Sequence, residues 1–157
     1  MFESSLTGFE VLIARPTLRL LDVKSSGAVD LLKGTIVAQQ RYNAGRHNRH
    51  SCFGISTLQH QQVWDQYLAF LPERASLVRG LASARLFLSD PHQELERSFA
   101  YATAVAWLLY EASGLQLPEK QDGDEMARLW SKVYYPQDQR AASFASLYWR
   151  SSVHLAA

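Results

Sequence analysis

Between Asp30 and Asp65 the chain has no acidic residue, a stretch of 34 positions. The same stretch holds Lys33, Arg41, Arg46, Arg49, the histidines His47, His50 and His60, and Cys52. Over the whole chain acids and bases nearly balance, and the formal net charge is only +1. No global field therefore directs the protein to nucleic acid or to an anionic membrane, and any such role must come from local clustering. Cysteine is almost absent too. Cys52 is alone, which excludes an internal disulfide and fits a reducing compartment. Long apolar runs are missing: the longest uncharged one, residues 98–110, has 13 residues, short of the roughly 20 needed to span a bilayer. Glu3 and Glu10 fall where a secretion signal would be basic and then apolar. A cytoplasmic protein without membrane contact is expected.

What is present describes a folded domain. Apolar residues make up 47% of the chain and charged ones 20%, which argues against disorder. With no repeat, low-complexity tract or linker, residues 1–157 read as a single domain that buries about two thirds of its unfolded surface.

Helical punctuation recurs along it. Ser26 opens a pattern with Ala28, Leu31, Leu32 and Ile36 on one face, running to about Asn43, with Gly45 as its stop. Ser56 and Gln59 form a capping-box pair ahead of Val63, Trp64, Tyr67, Leu68 and Leu71. A third helix from Glu73 carries Leu77, Leu81, Ala84 and Leu88 as a stripe. Asp90, Pro91 and Gln93 then predict the start of a central helix reaching Ser113, apolar on most sides and stopped by Gly114. Two more helices are expected over 124–135 and 137–153, divided by Pro136. Phe9, Val11 and Ile13 alternate like a strand, while neighbouring residues suit short helices around Pro16. The expected class is all-α, a single-domain bundle of about six helices, with a short hairpin or irregular segment allowed at the N-terminus.

Several groups are candidates for chemistry. His47, His50 and Cys52 form H-x-x-H-x-C, with His60 eight residues on. Imidazole and thiolate bind zinc, copper or nickel, but this spacing matches no common site. Cys52 with one of these histidines as base, its thiol acidified by Arg46 and Arg49, would make a nucleophile. No nucleophile signature surrounds it, and a lone cysteine is more often a small core residue. Arg41, Tyr42, Arg46, Arg49 and His50 read better as a nucleic-acid surface, with guanidinium groups on phosphates and Tyr42 stacking on a base. Against this, arginines near a helix C-terminus also simply complement its dipole. Asp122, Asp124 and Glu125 lack the calcium-loop pattern and read as a helix cap. Tyr148 and Trp149 are adjacent, so one must turn outward, and Trp149 is a candidate interface anchor.

No catalytic constellation, phosphate loop or cofactor motif is present, and the reading leans away from an enzyme. The leading expectation is a helical protein-interaction module, an adaptor, inhibitor or assembly subunit, whose partner is a protein of acidic character or a second copy. The alternative is nucleic-acid binding through the basic 41–50 loop. The third is a metal- or thiol-dependent enzyme around Cys52.

Overall fold

A computed structural model of the chain describes residues 2–42, 52–117 and 122–156. It is 78% helical and contains no strand among these residues. The all-α class holds, with nine α-helices among the described residues rather than about six when the N-terminal run is counted as one. None is long and apolar enough to cross a membrane.

The N-terminal run is α1 (Phe2–Phe9), a π segment (Glu10–Ala14) and α2 (Arg15–Leu20). It is helical where a hairpin was allowed. Phe9, Ala14, Leu18 and Leu21 face the core, and the five-residue step from Phe9 to Ala14 is the one a π turn supplies. Pro16 gives the local cause. It has no N–H, and in a regular helix its ring would strike the carbonyl of Leu12. The widened turn, closed by the Arg15 N–H on the Glu10 carbonyl, makes room for the ring. The strand-like alternation fails because Phe9 is buried while Val11 is 56% exposed.

Helix α3 (Ser26–Tyr42) runs through the core and buries Leu31, Leu32, Ile36, Thr35 and Gln39. The Thr35 hydroxyl donates to the Leu31 carbonyl at 2.6 Å and meets Tyr110 Oη at 2.7 Å, tying α3 to the later helix that carries Tyr110. Gln39 Nε2 donates to the Phe53 carbonyl at 2.8 Å, and Tyr135 Oη donates to its Oε1 at 2.8 Å. Beside Gln39 the chain turns at Gly54, whose φ of 61° favours a residue without a side chain.

Helix α4 (Thr57–Gln66) starts at the expected capping box, with both Ser56–Gln59 bonds formed. The expected third helix is broken into α5 (Pro72–Leu81) and α6 (Ala84–Ser89) by Ala82, which is extended. Its stripe is corrected accordingly: Val78 is buried, and Leu88 is 82% exposed. The central helix is also shorter than expected. After a 3-10 turn (Pro91–Gln93) and α7 (Glu94–Arg97), it begins as α8 (Phe99–Ala112). Ser98, not Asp90, is the cap: its hydroxyl accepts from the Tyr101 N–H and donates to the Leu81 carbonyl. That second bond crosses to α5, so only the folded chain could place this boundary. Gly114 ends α8 at φ 73° as expected.

Helix α9 (Gly123–Tyr134) is capped by Asp122, which accepts from the Asp124 and Glu125 amides. Helix α10 (Ala141–Ala156) packs on α9 and α3. Its inward positions are Ala141, Ala145 and Trp149, one per turn. Trp149 is 1% exposed, which corrects its reading as a surface anchor. It faces Gly34 of α3, where only a glycine leaves room for the indole.

Candidate functional site

Arg46, Arg49, His47 and His50 lie outside the described residues. Arg41 is exposed on the last turn of α3. Tyr42 is half-buried and ringed by Tyr135 at 4.6 Å, Phe144 at 5.2 Å and Trp130 at 5.5 Å between centroids. Its ring is enclosed by an aromatic cluster and is not offered to a base as expected.

Cys52 is half-buried against the core. Burial pushes its thiol from an ordinary value of 9.0 up to about 11, against smaller lowering effects from backbone hydrogen bonds at Cys52 and Phe53. At neutral pH the sulfur is a thiol, not the thiolate that a nucleophile or metal ligand requires. Two outcomes follow. Alkylation by iodoacetamide at pH 7.5 should run at least about tenfold slower in the native protein than in urea. A rate equal to the unfolded one would restore Cys52 as a candidate nucleophile. Because the folded value is raised, the unfolded chain ionises first as pH climbs past 9.0, so stability falls between there and about 11. Cys52→Ala should flatten that decline.

His60 belongs to a buried polar cluster that its sequence context does not announce. The capping box fixes the start of α4 and puts His60 one turn in, facing the core. Ser98 sets the start of α8 and with it Tyr101. The turn at 91–93 brings His92 to the same place. His60 Nε2 lies 2.6 Å from Tyr101 Oη, and His60 Nδ1 lies 2.7 Å from His92 Nδ1. Trp64 Nε1 donates to Tyr101 Oη at 2.9 Å.

Counting donors orders the protons. Indole N–H can only donate, so Tyr101 Oη accepts from Trp64, and the arrangement that also gives the buried Tyr101 proton an acceptor directs it to His60 Nε2. His60 then carries its proton on Nδ1 and donates to His92. Phe87 covers the group, edge-on to Trp64 and Tyr101, and Arg79 sits 4.1 Å over its ring. Glu94 is buried nearby, accepting from the Ser83 N–H with Oε2 while Oε1 has no hydrogen-bond partner among the described residues. Burial drives the Tyr101 phenol well above its ordinary range; the Trp64 hydrogen bond opposes this and the Glu94 charge adds to it. Both His60 nitrogens are engaged, so it is not the open ligand expected. Among the described residues no group of three or more His, Cys, Asp or Glu is placed to hold a metal ion. The cluster works as a lock joining α4, the 91–93 turn and α8.

An exposed surface that mixes apolar and basic side chains lies elsewhere, on the N-terminal run. On the N-terminal run, positions 11 and 12, 15 and 16, and 19 and 20 are all exposed, while 14, 17, 18 and 21 are buried. The outward row therefore carries Val11 (56% exposed), Leu12 (73%), Pro16 and Leu20 (41%), interleaved with Arg15 and Arg19. Next to it, between α2 and α3, is an open cleft of about 830 Å³. Arg15, Arg19, Lys24 and Lys33 line it, along with Glu10 and Asp30. The 15/19 spacing puts both guanidiniums on one helix face, a signal present in the sequence but hidden while the segment's class was open. Lys24 and Lys33 join them only through the turn between the helices.

Comparison of the chain with known protein families, curated proteins and solved structures finds no match.

Proposed function

We propose that the chain is a protein-interaction module that docks an acidic, amphipathic segment of a partner protein on its N-terminal α–π–α face. The observation that carries this is the outward row of Val11, Leu12 and Leu20 alternating with Arg15 and Arg19. Solvated helix faces are normally polar, and three large apolar side chains on one row give a partner area to remove from water, at about 25 cal/mol per Å². The two arginines and the cleft beside them select acidic side chains and repel basic ones. The π turn supports the reading, since such turns concentrate at functional sites. A single free thiol suits a cytoplasmic setting.

A displayed library of random 16-residue peptides tests it. Selected binders should be rich in Asp and Glu, with apolar residues at helical spacing. Val11→Ser plus Leu12→Ser should weaken them at least about tenfold while thermal unfolding stays put. The reading is lost if no acidic consensus emerges or if the double variant binds as well as the parent. Labelled DNA and RNA belong in the same panel: tighter, steeply salt-dependent binding there would instead support the basic 41–50 segment as a nucleic-acid surface.

A further inference from the structure

We infer that the cleft between α2 and α3 is a phosphate-monoester site, and that the phosphate is carried by the docked peptide segment. This rests on the docking reading for the source of the group, though not for the chemistry of the cleft. Four cations against two carboxylates leave an excess of two positive charges among the lining residues. Their internal neutralisation is poor. Glu10 is shared by Arg15 at 3.6 Å and Lys33 at 3.9 Å, both longer than a hydrogen bond. Among the described residues Lys24 pairs with Asp22 at 4.0 Å, with both side chains almost fully in solvent, where such pairs contribute little. Arg19 has no ion-pair partner among the described residues.

A side-chain carboxylate would compensate one of the excess charges. A phosphate monoester brings about −1.5 to −2 at pH 7 and three acceptor oxygens, which suits the whole excess. Arg19 supplies a planar fork for two of those oxygens, and Lys24 a mobile point charge for the third. The cleft volume of about 830 Å³ leaves room for the peptide flanking the phosphate. Lys33, two turns into α3, faces the same space from the opposite wall.

The experiment is a titration of the full chain with methyl phosphate, sulfate and acetate, followed by backbone amide NMR shifts. Methyl phosphate should bind saturably and at least about tenfold more tightly than acetate, moving amides of residues 19 and 24–26. Its affinity should rise as pH passes about 6, where the monoester takes its second charge, and sulfate should show no such rise. Arg19→Ala should cut affinity about tenfold; the residue is exposed, so an unchanged melting curve confirms the fold. Acetate binding as well as methyl phosphate, a flat pH profile, or affinity that survives Arg19→Ala each overturns the inference. So does Arg19-dependent binding to phosphatidic acid vesicles in preference to a phosphoserine peptide, because the source is then a lipid surface. Val11→Ser plus Leu12→Ser separates this test from the previous one: it should weaken peptide docking at least about tenfold and leave methyl phosphate affinity unchanged. Loss of phosphate binding alone retires this inference and leaves the docking reading standing.

Discussion

Gly34→Ala should cost about 3 kcal/mol of folding stability, a large share of the 5–15 kcal/mol typical of a whole domain. For a chain of this length that corresponds to a fall in Tm of roughly 6–12 °C. The reason is steric. A Cβ at position 34 would land on Cε2, Nε1 and Cζ2 of Trp149, inside any tolerable contact. The indole is rigid, fully buried, and held against Trp130 at 6.2 Å, so it has nowhere to turn. On an exposed helix the same change would stabilise, because alanine is the better helix former by about 1 kcal/mol. The sign therefore reports whether α10 is seated on α3. Urea unfolding of Gly34→Ala, Trp149→Leu and the double variant gives the coupling. The double should cost clearly less than the sum of the singles, since the smaller side chain relieves the clash. A single-variant loss below about 0.5 kcal/mol would mean that α10 does not pack there.

Removing His60 should be comparably severe. His60→Ala deletes a buried hydrogen bond, leaving Tyr101 Oη without its acceptor, and a part-buried one to His92 Nδ1. A buried orphan costs about 1–3 kcal/mol, the part-buried bond costs less, and a small cavity adds to both, so about 3 kcal/mol is expected. Tyr101→Phe keeps the ring and strands only His60 Nε2 and the Trp64 indole N–H, and should cost about 2 kcal/mol. His92→Ala should cost least, about 1 kcal/mol, because His92 is partly exposed and water can replace it. Equilibrium unfolding ranks the three. Independently, the ¹⁵N shifts of the His60 ring should show the Nδ1–H tautomer. An Nε2–H tautomer would reverse the proton order of the chain and remove Tyr101 as donor.

The α–π–α run shows how far pattern reading goes. Phe9, Val11 and Ile13 alternate like a strand while their neighbours suit short helices around Pro16, and the structure has the helical form, with a widened turn between two short helices. A π turn shifts the inward face by one residue, so neither a period of 3.6 nor a period of 2 fits across it. The exposed row of Val11, Leu12, Pro16 and Leu20 on its outer side follows only from the helical form of this segment. The acid-free window drew attention to Arg41 and Tyr42, but the aromatic ring of Tyr42 faces inward because α9 and the 135–144 segment bring Tyr135, Trp130 and Phe144 around it.

The sequence by itself determined what depends on neighbours within a turn or two: an all-α class, the Ser56–Gln59 and Asp122 caps, and the stop at Gly114. Those rest on side chains reaching backbone groups two or three residues away, or on one residue's own φ. Tertiary structure alone decided the start of α8 at Ser98, the inward turn of Trp149, the His60–Tyr101 lock across 41 residues and the Thr35–Tyr110 tie across 75. It also gathered four cations from two helices and a turn into one cleft. Each of these needs two helices docked at a fixed angle and offset, and close packing, a property of the assembled core rather than of any local window, sets both.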